Sequence, residues 1–115
     1  MKITIKNKEL ELHYSMRMYI LYENIMGQSI SFENMSSYTS LIVLFYCAII
    51  ATIQRNRIDM TISYDEFMDW LDEQNGATIM KDFSDWFTAC LTNNIALQDD
   101  TVEEDKKGKG KKSKN

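Results

Sequence analysis

The sequence contains no proline and only four glycines among its 115 residues. Proline and glycine supply most of the tight turns that connect the strands of a sheet. Their scarcity argues against an all-β fold and favours helices joined by short polar loops. The hydrophobic fraction of 44% is enough for a modest core in a single domain. A chain of this size has little stability to spare, so self-association would be a natural supplement.

Histidine and cysteine are also scarce: the chain has one histidine, His13, and two cysteines, Cys47 and Cys90. A metal centre needs several ligands at close spacing, and a catalytic histidine needs an orienting partner. The only close glycine pair, Gly108 and Gly110, does not lie between a strand and a helix, where a phosphate loop requires it. We therefore expect no catalytic, metal or cofactor-binding residues, no cofactor, and a protein that is not an enzyme. Two well-separated cysteines also suggest reduced thiols in a cytosol.

Charge is divided unevenly along the chain. Residues 1–98 carry seven basic and twelve acidic side chains, a net charge of −5. Residues 99–105 carry five acids and no base, and residues 106–115 carry six lysines and no acid. The hydrophobic pattern also stops after residue 98, which predicts a folded 1–98 domain and a disordered 99–115 tail. An acidic domain repels nucleic acid, so we expect nucleic-acid binding to be unlikely.

The lysine-rich end, residues 106–114, is the one segment that could bind RNA, DNA or an anionic membrane. It has no interleaved aromatic residues on which bases could stack, and the preceding acids partly neutralise it. A solubilising or tethering tail is the favoured interpretation. The alternative is a small nucleic-acid-associated regulatory protein that uses this tail.

Apolar and polar residues alternate near the N-terminus, over residues 2–14. A period of two is typical of half-buried strands, so the segment predicts a β-hairpin. We expect Asn7 and Lys8 to form its two-residue turn. The apolar positions are Ile3, Ile5, Leu10 and Leu12.

A first helix is predicted over Met16–Met26, with Ser15 as its N-cap and Gly27 ending it. The polar connector 28–37 follows, with one helical turn expected around Phe32–Met35. The residues expected to line the inner side of this helix are Met18, Ile20, Leu21, Ile25 and Met26.

A second helix is predicted over residues 38–54, the most apolar segment of the chain. Between Leu41 and Ile53 its only polar residue is Thr52. Thirteen residues of helix rise about 20 Å, which is short of the roughly 30 Å hydrocarbon core of a membrane. A buried core helix is therefore favoured over a membrane span, and we expect no secretion signal because the charged N-terminus has no continuous apolar run.

A third helix begins at Ser63, where Ser63 and Glu66 have the spacing of a capping box. Asn75 and Gly76 are expected to stop it. The residues predicted on its buried face are Phe67, Trp70 and Leu71. The acids Asp65, Glu66, Asp69, Asp72 and Glu73 follow the other face, where a solvated surface is favoured over a metal or acid–base cluster.

A fourth helix is predicted at about 79–94, capped by Thr78, with apolar residues at helical spacing. These residues are Met80, Phe83, Phe87, Cys90 and Leu91. The predicted fold is therefore mainly α: an N-terminal β-hairpin followed by about four helices in a compact bundle, with a disordered C-terminal tail.

Aromatic and aliphatic residues on the second, third and fourth helices are the candidates for contact with another protein, because such residues often anchor interfaces. Core packing is the competing interpretation for each of them. The candidates are Leu41, Phe45, Ile49, Trp70 and Trp86.

The order of these elements resembles the tail assembly chaperones of long-tailed, siphovirus-type bacteriophages. The resemblance covers about residues 3–94 and rests on four stretches of pattern. They are the Ile-x-Ile-x-Asn-Lys-x-x-x-Leu hairpin, the helix from Tyr14 through Glu23 to the Gly27-Gln-Ser29 connector, the apolar run Leu41–Ala48, and the capped acidic helix Ser63–Asp72. The core of this chain is richer in methionine and tyrosine than is usual for the family.

The resemblance implies a chaperone without catalytic activity that keeps the tape measure protein soluble during phage tail morphogenesis. It also implies a homo-oligomer in the host cell cytoplasm that is absent from the mature virion, with the tail tube protein as a possible further partner. Family members are often made in two lengths by ribosomal frameshift, and the lysine-rich 106–112 stretch is compatible with such slippage. Methionine suits a chaperone surface because its flexible thioether adapts to varied partners.

Overall fold

A computed structural model describes residues 1–30 and 37–98, with side chains described as far as Asn93. Contacts divide the chain into two units, the first of which is residues 1–84, and the second begins at Asp85. The chain is mainly helical and begins with a two-stranded antiparallel hairpin, as predicted. The elements are β1 (Lys2–Ile5), β2 (Lys8–Glu11), α1 (Met16–Met26), α2 (Tyr38–Arg55), α3 (Tyr64–Glu73) and α4 (Gly76–Gln98). The predicted turn at Phe32–Met35 and the predicted tail 99–115 lie outside the described residues.

The hairpin turn lies one residue earlier than predicted. Lys6 and Asn7, not Asn7 and Lys8, connect the strands, and both have positive φ, 52° and 63°. This conformation matches the right-handed twist of the two strands. Moving the turn by one residue shifts the register between the two strands by two residues. Side chains alternate between faces with a period of two, so either turn keeps the isoleucines and leucines on one face. The alternation therefore predicted the hairpin but could not choose its turn.

A contact from outside the hairpin accompanies this turn. The Lys6 ammonium group donates to the Thr61 carbonyl at 2.9 Å and pairs with the Glu66 carboxylate at 2.8 Å. Positive φ is unfavourable for lysine, so these bonds help to hold the turn in place. Ile3 lies opposite Leu10 across the strands, and both are buried.

Both predicted ends of α1 are confirmed. The Ser15 hydroxyl accepts a hydrogen bond from the Met18 amide at 3.3 Å. At the other end, Gly27 adopts φ 74°, and its amide donates to the Glu23 carbonyl at 2.8 Å. Glycine fits this left-handed position without steric cost.

The predicted inner side of α1 was partly wrong. Met18 is buried as expected, but Tyr22 is the second fully buried residue, whereas Ile20 and Ile25 are about half exposed. Helix α1 packs mainly on α2, and a single neighbour covers only a narrow strip of a helix. Five apolar positions spread around α1 could not all fit in that strip.

Helix α2 is the central core element of residues 1–84. It contacts α1 and β2, and the side chain of Ser37 caps its start by accepting from the Ser40 amide at 3.2 Å. Its end is closed by Arg57 at φ 55°, while the Ile58 amide donates to the Ile53 carbonyl at 3.0 Å. The buried residues of α2 are Ser40, Val43, Leu44, Phe45, Cys47, Ala48, Ile49, Ala51, Thr52 and Ile53.

The capping box of α3 is confirmed. The Ser63 hydroxyl accepts from the Glu66 amide at 3.1 Å, and the Glu66 carboxylate accepts from the Ser63 amide at 2.8 Å. The predicted buried residues Phe67, Trp70 and Leu71 are buried, and the five acids of the other face are exposed. The helix ends at Glu73, slightly before the predicted stop.

The predicted start of α4 was wrong by about one turn. The helix begins at Gly76, and the Asn75 side chain, not Thr78, acts as the cap by accepting from the Thr78 amide at 3.3 Å. The Asn75 carbonyl also accepts from the Ile79 amide at 2.9 Å. Asparagine is as good an N-cap as threonine or better, so the earlier cap extends the helix.

Candidate protein-binding surface

The five predicted interface residues fall in different environments. Phe45 and Ile49 have no exposed surface and Trp70 is 9% exposed, so these three are core residues of the 1–84 unit. Leu41 is half-buried in α2, and Trp86 is half-buried in the second unit. In this conformation Phe45 and Ile49 offer no surface to a partner.

An aromatic cluster explains why Phe45 is buried. Its ring stacks on Phe83 with centroids 4.5 Å apart, and meets Phe67 and Trp70 edge-on at 5.5 and 5.9 Å. Such pairs add stability beyond the area that they bury. The Trp70 indole N–H also donates to the Thr4 carbonyl at 2.8 Å, which attaches the hairpin to α3.

Several large apolar side chains of the described residues are exposed. Two are isoleucines of α1 that were expected on its inner side, whereas Tyr38 and Tyr64 stand near helix starts, where exposed aromatic residues that could anchor an interface were expected. The exposed fractions are 67% for Met16, 54% for Ile20, 51% for Ile25, 66% for Tyr38 and 38% for Tyr64. One signal was available: Ile20 lies opposite Met18 on a helical wheel, so the two could not both face α2.

A mainly apolar groove of about 180 Å³ lies between α1 and α2. We call it the α1–α2 groove; its lining residues are Leu21, Ile25, Tyr46, Cys47 and Ile50. Ile25, one of these lining residues, is about half exposed to solvent. The Tyr46 hydroxyl donates to the Ile62 carbonyl at 2.7 Å, which holds the ring in place.

Cys47 gives the groove no reactive group. It is fully buried, and burial raises the pKa of its thiol to about 12. The thiolate is the nucleophilic form of cysteine. At neutral pH Cys47 therefore behaves as a small apolar residue.

Leu41 lines a different cavity, of about 250 Å³, between the first turn of α2 and the start of α4. Its neighbours there include the exposed Tyr38 and the buried Met80. Polar side chains complete the rim, among them Lys81 and Ser84. This cavity is less apolar than the α1–α2 groove.

A third cavity, of about 220 Å³, is lined by residues of the hairpin turn and α3 and is acidic. The Lys6 ammonium group and the Ser63 amide, which both hydrogen-bond to the Glu66 carboxylate, lower the pKa of that carboxyl group. Asp69 and Glu73 also line the cavity. Among the described residues, no group of three or more histidine, cysteine or acidic side chains is arranged to hold a metal ion.

His13 follows β2 and occupies a half-buried position. Its backbone amide donates to the Thr52 hydroxyl at 2.9 Å. Burial and the nearby charge of Arg55 lower the pKa of its imidazole. The neutral ring is therefore favoured at physiological pH.

Among the described helices, α2 alone is long and apolar enough to cross a membrane by length and composition. Its mean hydropathy is 1.4 over 18 residues, and 56% of that span is buried within the protein. The core helix of a protein that never enters a membrane passes the same test. Its contacts with α1 and β2 account for its apolar character.

In comparisons with known proteins, no family model, no curated protein and no solved structure matches this chain.

Proposed function

We propose that the protein is a phage tail assembly chaperone that binds an apolar helix of the tape measure protein in the α1–α2 groove. The supporting observation is an open groove with an almost entirely apolar lining on an acidic unit. The resemblance in element order supplies the identity of the client. The homo-oligomeric state, the host cytoplasmic location and the tail tube protein as a second partner belong to the same proposal.

The groove has the chemistry that recognises an amphipathic helix. Such helices bind by placing apolar side chains at helical spacing into a hydrophobic groove. The groove volume of about 180 Å³ corresponds to a few water molecules, which is enough space for one or two side chains of a client. A client helix would cover the exposed surface of Ile25 and gain the free energy of burying it.

The acidic charge of the 1–98 region would help to keep the bound client soluble. A tape measure protein is long and helical, and its apolar segments would aggregate before the tail tube encloses them. Like-charged chaperone molecules coating such a client would repel other coated clients. The surface of α3, with its five exposed acids, provides much of this charge.

Co-expression with a helical fragment of the tape measure protein tests the proposal. The native chain should increase the soluble fraction of the fragment, and Ile25→Glu should abolish this effect because it places a charge in the groove. Ile20→Glu is the matched control, since it changes the same residue type on the same helix at similar exposure, but outside the groove.

Both variants should retain the far-ultraviolet circular dichroism of the native chain, because both substituted residues are half exposed. If the fragment is equally insoluble with and without the native chain, the proposed function is wrong. If Ile25→Glu rescues the fragment as well as the native chain does, the groove is not the client site.

A further inference from the structure

An aromatic surface continues the α1–α2 groove towards the start of α3. Tyr46, which lines the groove, meets Tyr64 edge-on, with ring centroids 5.3 Å apart. Tyr64 is the first residue of α3 and is 38% exposed, and Tyr46 itself is half-buried. We call these two residues the tyrosine extension of the groove.

The spacing of the tyrosine extension fits a helix that already has one side chain in the groove. On a helix, side chains three or four positions apart lie about 5–6 Å from each other. The two tyrosine rings are separated by a similar distance. A client helix with one side chain beside Tyr46 therefore places a side chain of its next turn beside Tyr64.

An acidic side chain follows Tyr64 around α3 on the side away from the core. Successive residues of a helix are rotated by about 100°, so Tyr64 lies about 20° beyond the buried Leu71, at one edge of the buried face. Asp65 comes about 100° further around and is exposed. Glu66 and Glu73 lie towards the other edge of α3, where they line the acidic cavity beside the hairpin turn.

The charge of Asp65 is available to a partner. Among the residues that the structure describes, no ion pair includes Asp65, whereas Glu66 pairs with Lys6 at 2.8 Å. A lysine or arginine side chain of a client beside Tyr64 would lie against an aromatic ring, and the faces of such rings attract cations. Its methylene groups would cover the apolar surface, and its charge would be within reach of the carboxylate.

We propose that the client of the α1–α2 groove is a basic amphipathic helix. An apolar residue of this helix enters the groove, and a lysine or arginine one turn away packs on Tyr64 and pairs with Asp65. This inference rests on the proposed function, because it names the class of helix that the same site selects. The net charge of −5 on residues 1–98 favours the same client, since opposite charges accelerate association.

Two synthetic helical peptides test the class of client. Both have about 18 residues, roughly 27 Å of helix, and the same stripe of leucines. One carries lysine at the positions that flank the stripe, and the other carries glutamine there. In fluorescence anisotropy at low salt, the lysine peptide should bind the native chain about fivefold more tightly, and added salt should reduce this difference.

A matched pair of tyrosine variants locates the ring contact. Tyr64→Ala should weaken binding of the lysine peptide about fivefold. Tyr38→Ala should leave it unchanged, because Tyr38 is also an exposed tyrosine at a helix start but lines a different cavity. Tyr64→Phe keeps the ring and should bind like the native chain.

A matched pair of charge variants locates the ion pair. Asp65→Asn should weaken binding of the lysine peptide about threefold, whereas Glu73→Gln, at the other edge of α3, should not. Neither variant should change binding of the glutamine peptide. Asp65→Asn leaves the packing of Tyr64 intact, so it decides the question even if Tyr64→Ala disturbs the fold.

Absence of binding, or equal binding of the two peptides by the native chain, would overturn the proposal. Equal losses from Asp65→Asn and Glu73→Gln would also overturn it, because they would indicate a general charge effect. If Ile25→Glu abolishes peptide binding and Tyr64→Ala does not change it, the client contact ends at the groove, and only the proposed function stands. If the peptides behave as expected but the tape measure fragment stays insoluble, the proposed function is wrong and the preference for basic helices stands.

Discussion

Thr52 is the one polar residue in the apolar run of α2, and its hydroxyl makes a specific prediction about stability. The side chain is fully buried. Its hydroxyl donates to the Ala48 carbonyl at 2.8 Å and accepts from the His13 amide at 2.9 Å. The second bond joins the segment after the hairpin to the central helix.

Thr52→Val keeps the shape of the side chain and removes the hydroxyl. The Ala48 carbonyl still accepts a hydrogen bond from the backbone of the next turn, so losing its bond from the hydroxyl costs little stability. The His13 amide is partly buried and loses its partner, which costs about 1–2 kcal/mol. For a folded region of this size, that corresponds to a fall in melting temperature of about 4–16 °C.

Thr52→Ser is the matched control, because it keeps the hydroxyl and removes a buried methyl group. Deleting this methyl group lowers the free energy of unfolding by about 1 kcal/mol. The two variants should therefore have similar free energies of unfolding in chemical denaturation. They should differ clearly in hydrogen exchange. The His13 amide should exchange faster in Thr52→Val than in Thr52→Ser, measured at equal global stability by adjusting the denaturant concentration.

A Thr52→Val variant as stable as the native chain, or one whose His13 amide keeps native protection, would contradict this prediction. Either result would mean that the hydroxyl is not what secures this segment to α2. Equal protection in both variants would mean that packing alone holds the segment.

Three further predictions concern single residues. Arg57→Gly should raise the free energy of unfolding by about 1 kcal/mol in urea titration, because φ 55° strains a residue with a Cβ; an unchanged or lower value would contradict this. Cys47 is fully buried and its thiol has a pKa of about 12, whereas Cys90 is half-buried, so a thiol reagent at pH 8 should modify Cys90 first. Modification of both cysteines at the same rate in the native chain would contradict this prediction. Glu66→Gln should lower the melting temperature at pH 7, because the carboxylate pairs with Lys6 and its pKa is lowered in the folded state. A lowered folded-state pKa means that the stabilisation is present above the unfolded value of about 4.3 and is lost as pH falls through the folded value, so the variant and the native chain should converge in acid.

Only part of the candidate site could be predicted from the sequence. Helix α2 was correctly expected to be the apolar centre of the fold, but Phe45 and Ile49 were also candidates for partner contact. Whether a large apolar residue faces a neighbour or solvent depends on the elements packed around it. For Phe45 those neighbours are Phe67, Trp70 and Phe83, which are 22 to 38 positions away in the sequence.

The α1–α2 groove was not predictable for the same reason. Its lining combines residues of α1 with residues of α2, and the sequence contains no signal for the line along which two helices meet. Alternation and helical periodicity specify a face relative to its own axis. They do not specify which neighbour covers that face or where the cover ends.

Features that depend on contacts within a few residues could be predicted from the sequence. The Ser15 cap, the Gly27 stop and the Ser63–Glu66 capping box are such contacts, and α1 and α3 begin where these residues predict. The position of the hairpin turn, the exposure of Ile20 and Ile25, and the burial of Tyr22 could not be predicted in this way. These depend on packing against α2 and α3, elements that are distant in sequence, and no local pattern encodes the position of a distant partner.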